Sequence, residues 1–201
     1  MAGKVLVAVP TFEGHVLSEC AEGVANLNFG GLDHSFYFPK GYGVAECRNL
    51  IAERALDDGC EWVLMVDSDI LVHPDALVTL MGHGKGCVLG FYATKGRTDG
   101  TLSLFRNGFK DRYMAYEVRE LRQSGKSLIK VSGGGFGCAL VRTDVFKSLK
   151  RPWFDWVERP NGTSLSEDLY FCNSLNQSGI GVYADTRVGC GHIFPQVSYS
   201  M

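Results

Sequence analysis

The stretch Trp62-Val63-Leu64-Met65-Val66-Asp67-Ser68-Asp69 limits the fold more than any other part of the chain. An unbroken apolar run that stops on two acids reads as a strand buried on both faces of a sheet. His73-Pro74-Asp75 then opens a helix, with Pro74 suited to its first turn. Such a strand delivers Asp67 and Asp69 to the carboxyl edge of the sheet, where open α/β folds bind ligands. Two hard oxygen donors there suit Mg²⁺ or Mn²⁺, with a substrate phosphate completing the shell. A solvated turn after a buried strand is the plainer reading of the same residues.

The flanking segments repeat the alternation. Strand patterns at 4–9, 34–38 and 86–92 are separated by helical patterns at 13–28, 44–56 and 74–81. This order predicts an α/β fold with a mostly parallel central sheet flanked by helices. The second half reads differently. Short strand-like segments at 101–105, 113–118 and 127–131 lead to a glycine loop, Gly133-Gly134-Gly135. A strand at 138–142 and a helix at 144–149 follow. Ser166 is the expected cap of a helix reaching Gln177, and short strands at 182–184 and 188–190 precede His192. These segments predict a smaller antiparallel part.

Length and composition exclude several classes. A chain of 201 residues, 45% hydrophobic and 21% charged, fits a single globular domain over 1–201. Twenty Lys plus Arg against 22 Asp plus Glu provide no basic field to recruit nucleic acid. No apolar run approaches the ~20 residues of a membrane span. The amino terminus lacks the shape of a secretory signal, and seven cysteines form no Cys-x-x-Cys pair. Both point to a cytoplasmic protein whose cysteines are core residues.

Six motifs, in this order, carry a resemblance: Val9-Pro10-Thr11-Phe12-Glu13-Gly14, Ala45-Glu46-Cys47-Arg48-Asn49, Val66-Asp67-Ser68-Asp69, Gly133-Gly134-Gly135-Phe136-Gly137, Ser166-Glu167-Asp168-Leu169 and Gly191-His192-Ile193. Together they resemble GT-A-fold (Rossmann-like) glycosyltransferases of the broad family-two-like set. The resemblance implies a metal-dependent hexosyltransferase that moves a sugar from a nucleotide-diphosphate sugar, UDP-sugar being the commonest donor, to a hydroxyl. The acceptor is a polysaccharide, lipid, protein or modified nucleobase. It divides the chain into a nucleotide-binding half, about 1–95, and an acceptor and catalytic half, about 96–201.

Residue by residue, it implies Asp69 bound directly to the metal, Asp67 on the ribose or reaching the metal through water, and His192 as a third ligand, with Ser68 between the acids. Pro10, Thr11, Glu13, Arg48 and Asn49 would hold the nucleotide, Arg48 as a bidentate partner of the diphosphate. Gly134 and Gly135 would border the donor sugar. Asp168, beside Glu167, would take the acceptor hydroxyl's proton; the same two acids also read as the ordinary first turn of a helix. Trp153 fits either a sugar platform or the core, and Tyr92 and Lys95 border the same face. Three rivals remain: an Asp-x-Asp phosphohydrolase, a sugar-phosphate nucleotidyltransferase and a non-catalytic nucleotide-sugar binder. The first would carry its acids after the first strand. The second would need a basic, glycine-rich loop where Pro10 to Gly14 has no basic residue.

Overall fold

The computed structural model describes residues 3–11, 14–40, 43–158 and 162–193. Among them the elements run β1 (Lys4–Ala8), α1 (Ser18–Ala25), β2 (Asp33–Tyr37), α2 (Val44–Asp57), β3 (Trp62–Val66), β4 (Ile70–Leu71), α3 (Ala76–Met81) and β5 (Cys87–Phe91). Then come β6 (Thr101–Arg106), β7 (Asp111–Met114), α4 (Ala115–Gln123), β8 (Leu128–Val131), β9 (Gly133–Gly134), β10 (Cys138–Arg142) and α5 (Thr143–Ser148). The chain closes with β11 (Val157–Glu158), β12 (Ser164–Leu165), α6 (Glu167–Gln177), β13 (Val182–Gly189) and β14 (Gly191–His192).

The central sheet has seven strands in the order β2-β1-β3-β10-β5-β13-β8. β3 is buried along its whole length, as its unbroken apolar run requires. Side chains of one parity (Leu6, Ala8, Val63, Met65, Leu89) join α2, α5 and α6 in one core layer. Those of the other parity (Val5, Val7, Leu64, Val66, Val88) join α1 and α3 in the second.

The sheet is mixed rather than mostly parallel. β1 pairs in parallel with β2 and β3, and β5 with β13, but β10 runs antiparallel between β3 and β5. β8 is antiparallel to β13 at the edge. Four of the five residues of β10 are buried, the pattern of a central parallel strand. Burial on two faces does not encode direction. Residues 132–137 return the chain to the carboxyl edge, so β10 enters there and runs back. Smaller antiparallel sheets, β7-β6-β9 and β4-β14 among them, stand beside the main one.

Three further local expectations change. Residues 113–118 are not one strand, because α4 starts at Ala115. Glu117 reaches back to accept the Met114 backbone N–H at 2.8 Å, stabilising the helix start. Residues 182–189 form one strand instead of two. Ser166 occupies the cap position of α6, but its hydroxyl donates to the Asp168 carboxylate rather than capping the backbone.

The glycine loop is packed against the protein itself. A Cβ on Gly134 would stand 2.9 Å from Leu104, Leu89 and the Ser103 carbonyl oxygen, and one on Gly135 would overlap the Tyr92 hydroxyl. Gly135→Ala is therefore expected to lower unfolding free energy by about 1–3 kcal/mol, the cost typical of overpacking. Urea denaturation measures it; an unchanged midpoint would show that the loop has room to yield.

Candidate functional site

At the carboxyl edge lies a cavity of about 740 Å³ lined by residues from distant parts of the chain. Pro10 and Thr11 enter from the end of β1, Val44, Cys47 and Arg48 from the start of α2, and Asp67, Ser68 and Asp69 from the turn after β3. Ser166, Glu167 and Asp168 come from the start of α6, with Lys95 and Trp156 beside them.

Arg48 is the centre of this arrangement. Only 2% of its side chain is exposed; Nη2 donates to Asp67 Oδ1 at 2.8 Å and Nε to Glu167 Oε1 at 3.2 Å. Its Cζ lies 5.7 Å from the Phe136 ring centroid. Burial opposes the guanidinium charge, but the Asp67 and Glu167 carboxylates outweigh it and hold its pKa above the ordinary value. Arg48 Nη1 is buried without a hydrogen-bond partner among the described residues. The resemblance implies a diphosphate as this arginine's partner; in the structure two of its three nitrogens hold protein carboxylates.

Asp67 is fixed from several sides. Its N–H donates to Gly137 O at 3.2 Å, and its carbonyl accepts from Cys20 Sγ at 3.3 Å. Burial pushes the Cys20 thiol up to about 11, so it remains a protonated donor. Asp69 is brought to His192 by the β4–β14 pairing, which sets Ile70 opposite His192. The Ile193 N–H donates to Asp69 O at 2.9 Å.

His192 Nδ1 lies 2.8 Å from the Ala93 carbonyl oxygen, and Nε2 lies 3.3 Å from Asp69 Oδ2. The carbonyl only accepts, which assigns the hydrogen to Nδ1. Nε2 then turns a lone pair toward a carboxylate, and two acceptors face each other. A cation between them, a proton or a metal ion, satisfies both. A backbone carbonyl holding the outer nitrogen is also the usual support of a metal-ligating histidine. Among the described residues no group of three or more His, Cys, Asp or Glu side chains could hold a metal ion. Asp69 and His192 thus fit a metal only with donors from a bound phosphate, the arrangement Mg²⁺ commonly adopts. Charge argues the same way. Asp67, Asp69, Glu167 and Asp168 line the cavity against Arg48 and Lys95, so an anionic ligand needs an accompanying cation.

Asp168 is distinct from Glu167. Glu167 is buried and paired to Arg48. Asp168 Oδ1 accepts from the Ser166 hydroxyl and from the Leu169 N–H, the latter at 2.7 Å. Burial, then the neighbouring Glu167 charge, raises its pKa to about 6. A carboxylate in that range can take a proton near neutral pH.

Several predicted residues do something else. Asn49 does not line the cavity: its amide donates to Ala45 O and Phe154 O, and its oxygen accepts from the N–H groups of Trp153 and Phe154. Gly134 and Gly135 face Leu104, Leu89 and Tyr92, not the cavity. Trp153 is a core ring whose Nε1 donates to Phe146 O. Tyr92 is buried, and its hydroxyl accepts the Gly137 N–H. Thr11 Oγ1 donates to Pro39 O at 2.9 Å. Glu13 lies outside the described residues. Lys95 Nζ stands 3.8 Å from Asp69 Oδ2. Sequence reading missed Trp156, 57% exposed at the cavity wall; the only available signal was its place three residues beyond Trp153.

No protein-family model matches the chain, and no curated protein matches it in sequence. Solved structures do match. The chain superposes on A197 from STIV with a TM-score of 0.65 at 19% identity, over 95% of this chain and 86% of that one. It also superposes on GalNAc-T7 with UDP, GalNAc and Mn²⁺, with a TM-score of 0.64 at 10% identity, over 96% of this chain but 44% of that one. The chain therefore spans under half of that glycosyltransferase. At these identities the likeness establishes the fold, and the fold is GT-A-like.

Two outcomes follow. Arg48→Met leaves the buried Glu167 carboxylate and the partly exposed Asp67 uncompensated and is expected to cost about 3–5 kcal/mol in urea denaturation at pH 7; a loss under 1 kcal/mol would remove the guanidinium from its central role. Asp168 has a raised folded-state pKa, so stability is fullest below its ordinary value of 3.8 and declines as pH rises through about 6. Asp168→Asn should accordingly be more stable than the parent at pH 7, with the gap closing by pH 4.

Proposed function

We propose that the chain is a metal-dependent glycosyltransferase that transfers a sugar from a nucleotide-diphosphate sugar to an acceptor hydroxyl. The observation that carries this reading is the convergence of Asp67, Asp69 and Asp168 on one cavity, with His192 paired to Asp69 beside it. The GT-A-like fold supports it, as does GalNAc-T7, which was solved with UDP, GalNAc and Mn²⁺.

In this proposal the nucleotide enters along Pro10 and Thr11, in the half formed by residues 1–95, and the diphosphate lies over Asp67-Ser68-Asp69. Asp69 and His192 would hold Mn²⁺ or Mg²⁺, with Asp67 beside them. When bound, the metal offsets the charge that grows on the departing diphosphate. Arg48 keeps Asp67 and Glu167 in place from below. Asp168 accepts the proton of the acceptor hydroxyl as that oxygen replaces the diphosphate at the anomeric carbon. Trp156 offers an apolar wall on the acceptor side, in the half formed by residues 96–201. Among the described residues no helix is long and apolar enough to cross a membrane.

A thermal-shift panel of UDP-, GDP-, CDP- and dTDP-sugars, each with and without Mn²⁺, tests donor binding by mass action. The expected result is a raised midpoint with one nucleotide, only with metal, and its loss in Asp69→Ala. Stabilisation indifferent to chelator and to that substitution would sink the metal assignment. Asp168→Asn is expected to retain the donor-induced shift while transfer drops by about 10²–10⁴-fold, and the parent's rate should fall as pH drops through about 6. Equal loss of binding and transfer would make Asp168 a structural residue.

A further inference from the structure

The two edges of the central sheet are built differently. β8, at one end, carries an exposed Lys130 in its middle and is buried at Ile129 and Val131. A charged lysine on an edge strand is a common guard against pairing with another chain. β2, at the other end, has no such guard between His34 and Phe38. Instead Phe36 and Phe38 are each 44% exposed. Phe29 stacks on His34 with centroids 3.7 Å apart, and Phe36 meets both rings edge-on. Among the described residues β2 pairs with β1 alone.

The hydrogen-bond pattern shows which backbone groups are left over. Val9 N donates to Tyr37 O and Thr11 N to Pro39 O, each at 3.0 Å. The carbonyls of Tyr37 and Pro39 therefore face β1. By strand alternation, the N–H and C=O groups of His34, Phe36 and Phe38 face away from it.

We propose that β2 is a dimerisation edge, and that its partner is the β2 strand of a second copy of this chain. Two identical strands related by a two-fold axis run antiparallel. Phe36 then sits opposite Phe36 of the second copy on the axis, and His34 opposite the second copy's Phe38. This register pairs the three outward-facing residues with one another, each pair exchanging both backbone bonds. It also gathers the aromatic rings of both copies on one face as cross-strand pairs. Charge selects the same direction. Exposed Asp33 stands at one end of the edge and exposed Lys40 at the other, so an antiparallel copy brings unlike ends together and a parallel one brings like ends together. The two seven-stranded sheets become continuous, with the candidate cavities outside the contact.

Sedimentation equilibrium of the full chain from about 1 to 100 μM tests the interface. The expected result is twice the chain mass at the upper end, and at least a tenfold weaker association for Phe36→Lys, which sets two ammonium groups face to face. Circular dichroism separates this from misfolding. Directly opposed residues exchanging both bonds have Cα atoms about 5.5 Å apart, within the span of a disulfide. Phe36→Cys should therefore cross-link under mild oxidation, while Glu53→Cys, on α2, should not. A monomer at 100 μM would overturn the proposal. So would a dimer indifferent to Phe36→Lys, or cross-linking equal in the two cysteine variants.

Discussion

One buried guanidinium ties the site to the fold. Arg48 bridges Asp67 and Glu167, residues that reach it from the ends of β3 and the start of α6. Without it, the Asp67 and Glu167 carboxylates would line the same wall with no cation between them. With it, Asp67 is held in a single orientation. Glu167 stays paired, leaving Asp168 as the acid of that pair whose protonation is governed by burial. Two adjacent acids thus acquire different chemistry from one cation that contacts only the first of them by hydrogen bond.

The same arrangement leaves the cavity short of positive charge. Arg48 is already engaged, and Lys95 approaches Asp69 only at the long distance of 3.8 Å. His192 Nε2 stands 3.3 Å from Asp69 Oδ2, a pair that a proton or a metal ion closes. A surface built this way disfavours a bare diphosphate, and the proposed function supplies the missing charge as a divalent cation. Metal dependence, in this reading, follows from the balance of charge around the cavity as much as from any one ligand.

The mixed sheet has a functional consequence. Because β10 enters at the carboxyl edge, Gly137 lies beside Asp67 and its carbonyl anchors the Asp67 N–H. The glycine loop that precedes it is compressed against Leu89, Leu104 and Tyr92. Its small residues serve close packing behind the site, where a ligand-facing role would have left the space above them open.

Much of the fold was legible in one dimension. The unbroken run 62–66 marked the central strand, the alternation up to residue 92 marked an α/β sheet, and the order of Asp67, Asp69, Asp168 and His192 marked side chains that the fold brings to one edge. Those signals survive because burial and helical or strand period are written in neighbouring residues. Strand direction, the roles of Asn49 and the glycines, the Arg48 bridge and the exposure of Trp156 were not legible. Each depends on which atoms face one another across large separations in sequence, such as the 119 residues between Arg48 and Glu167. A side chain's composition gives its possible partners, and only the folded packing selects among them.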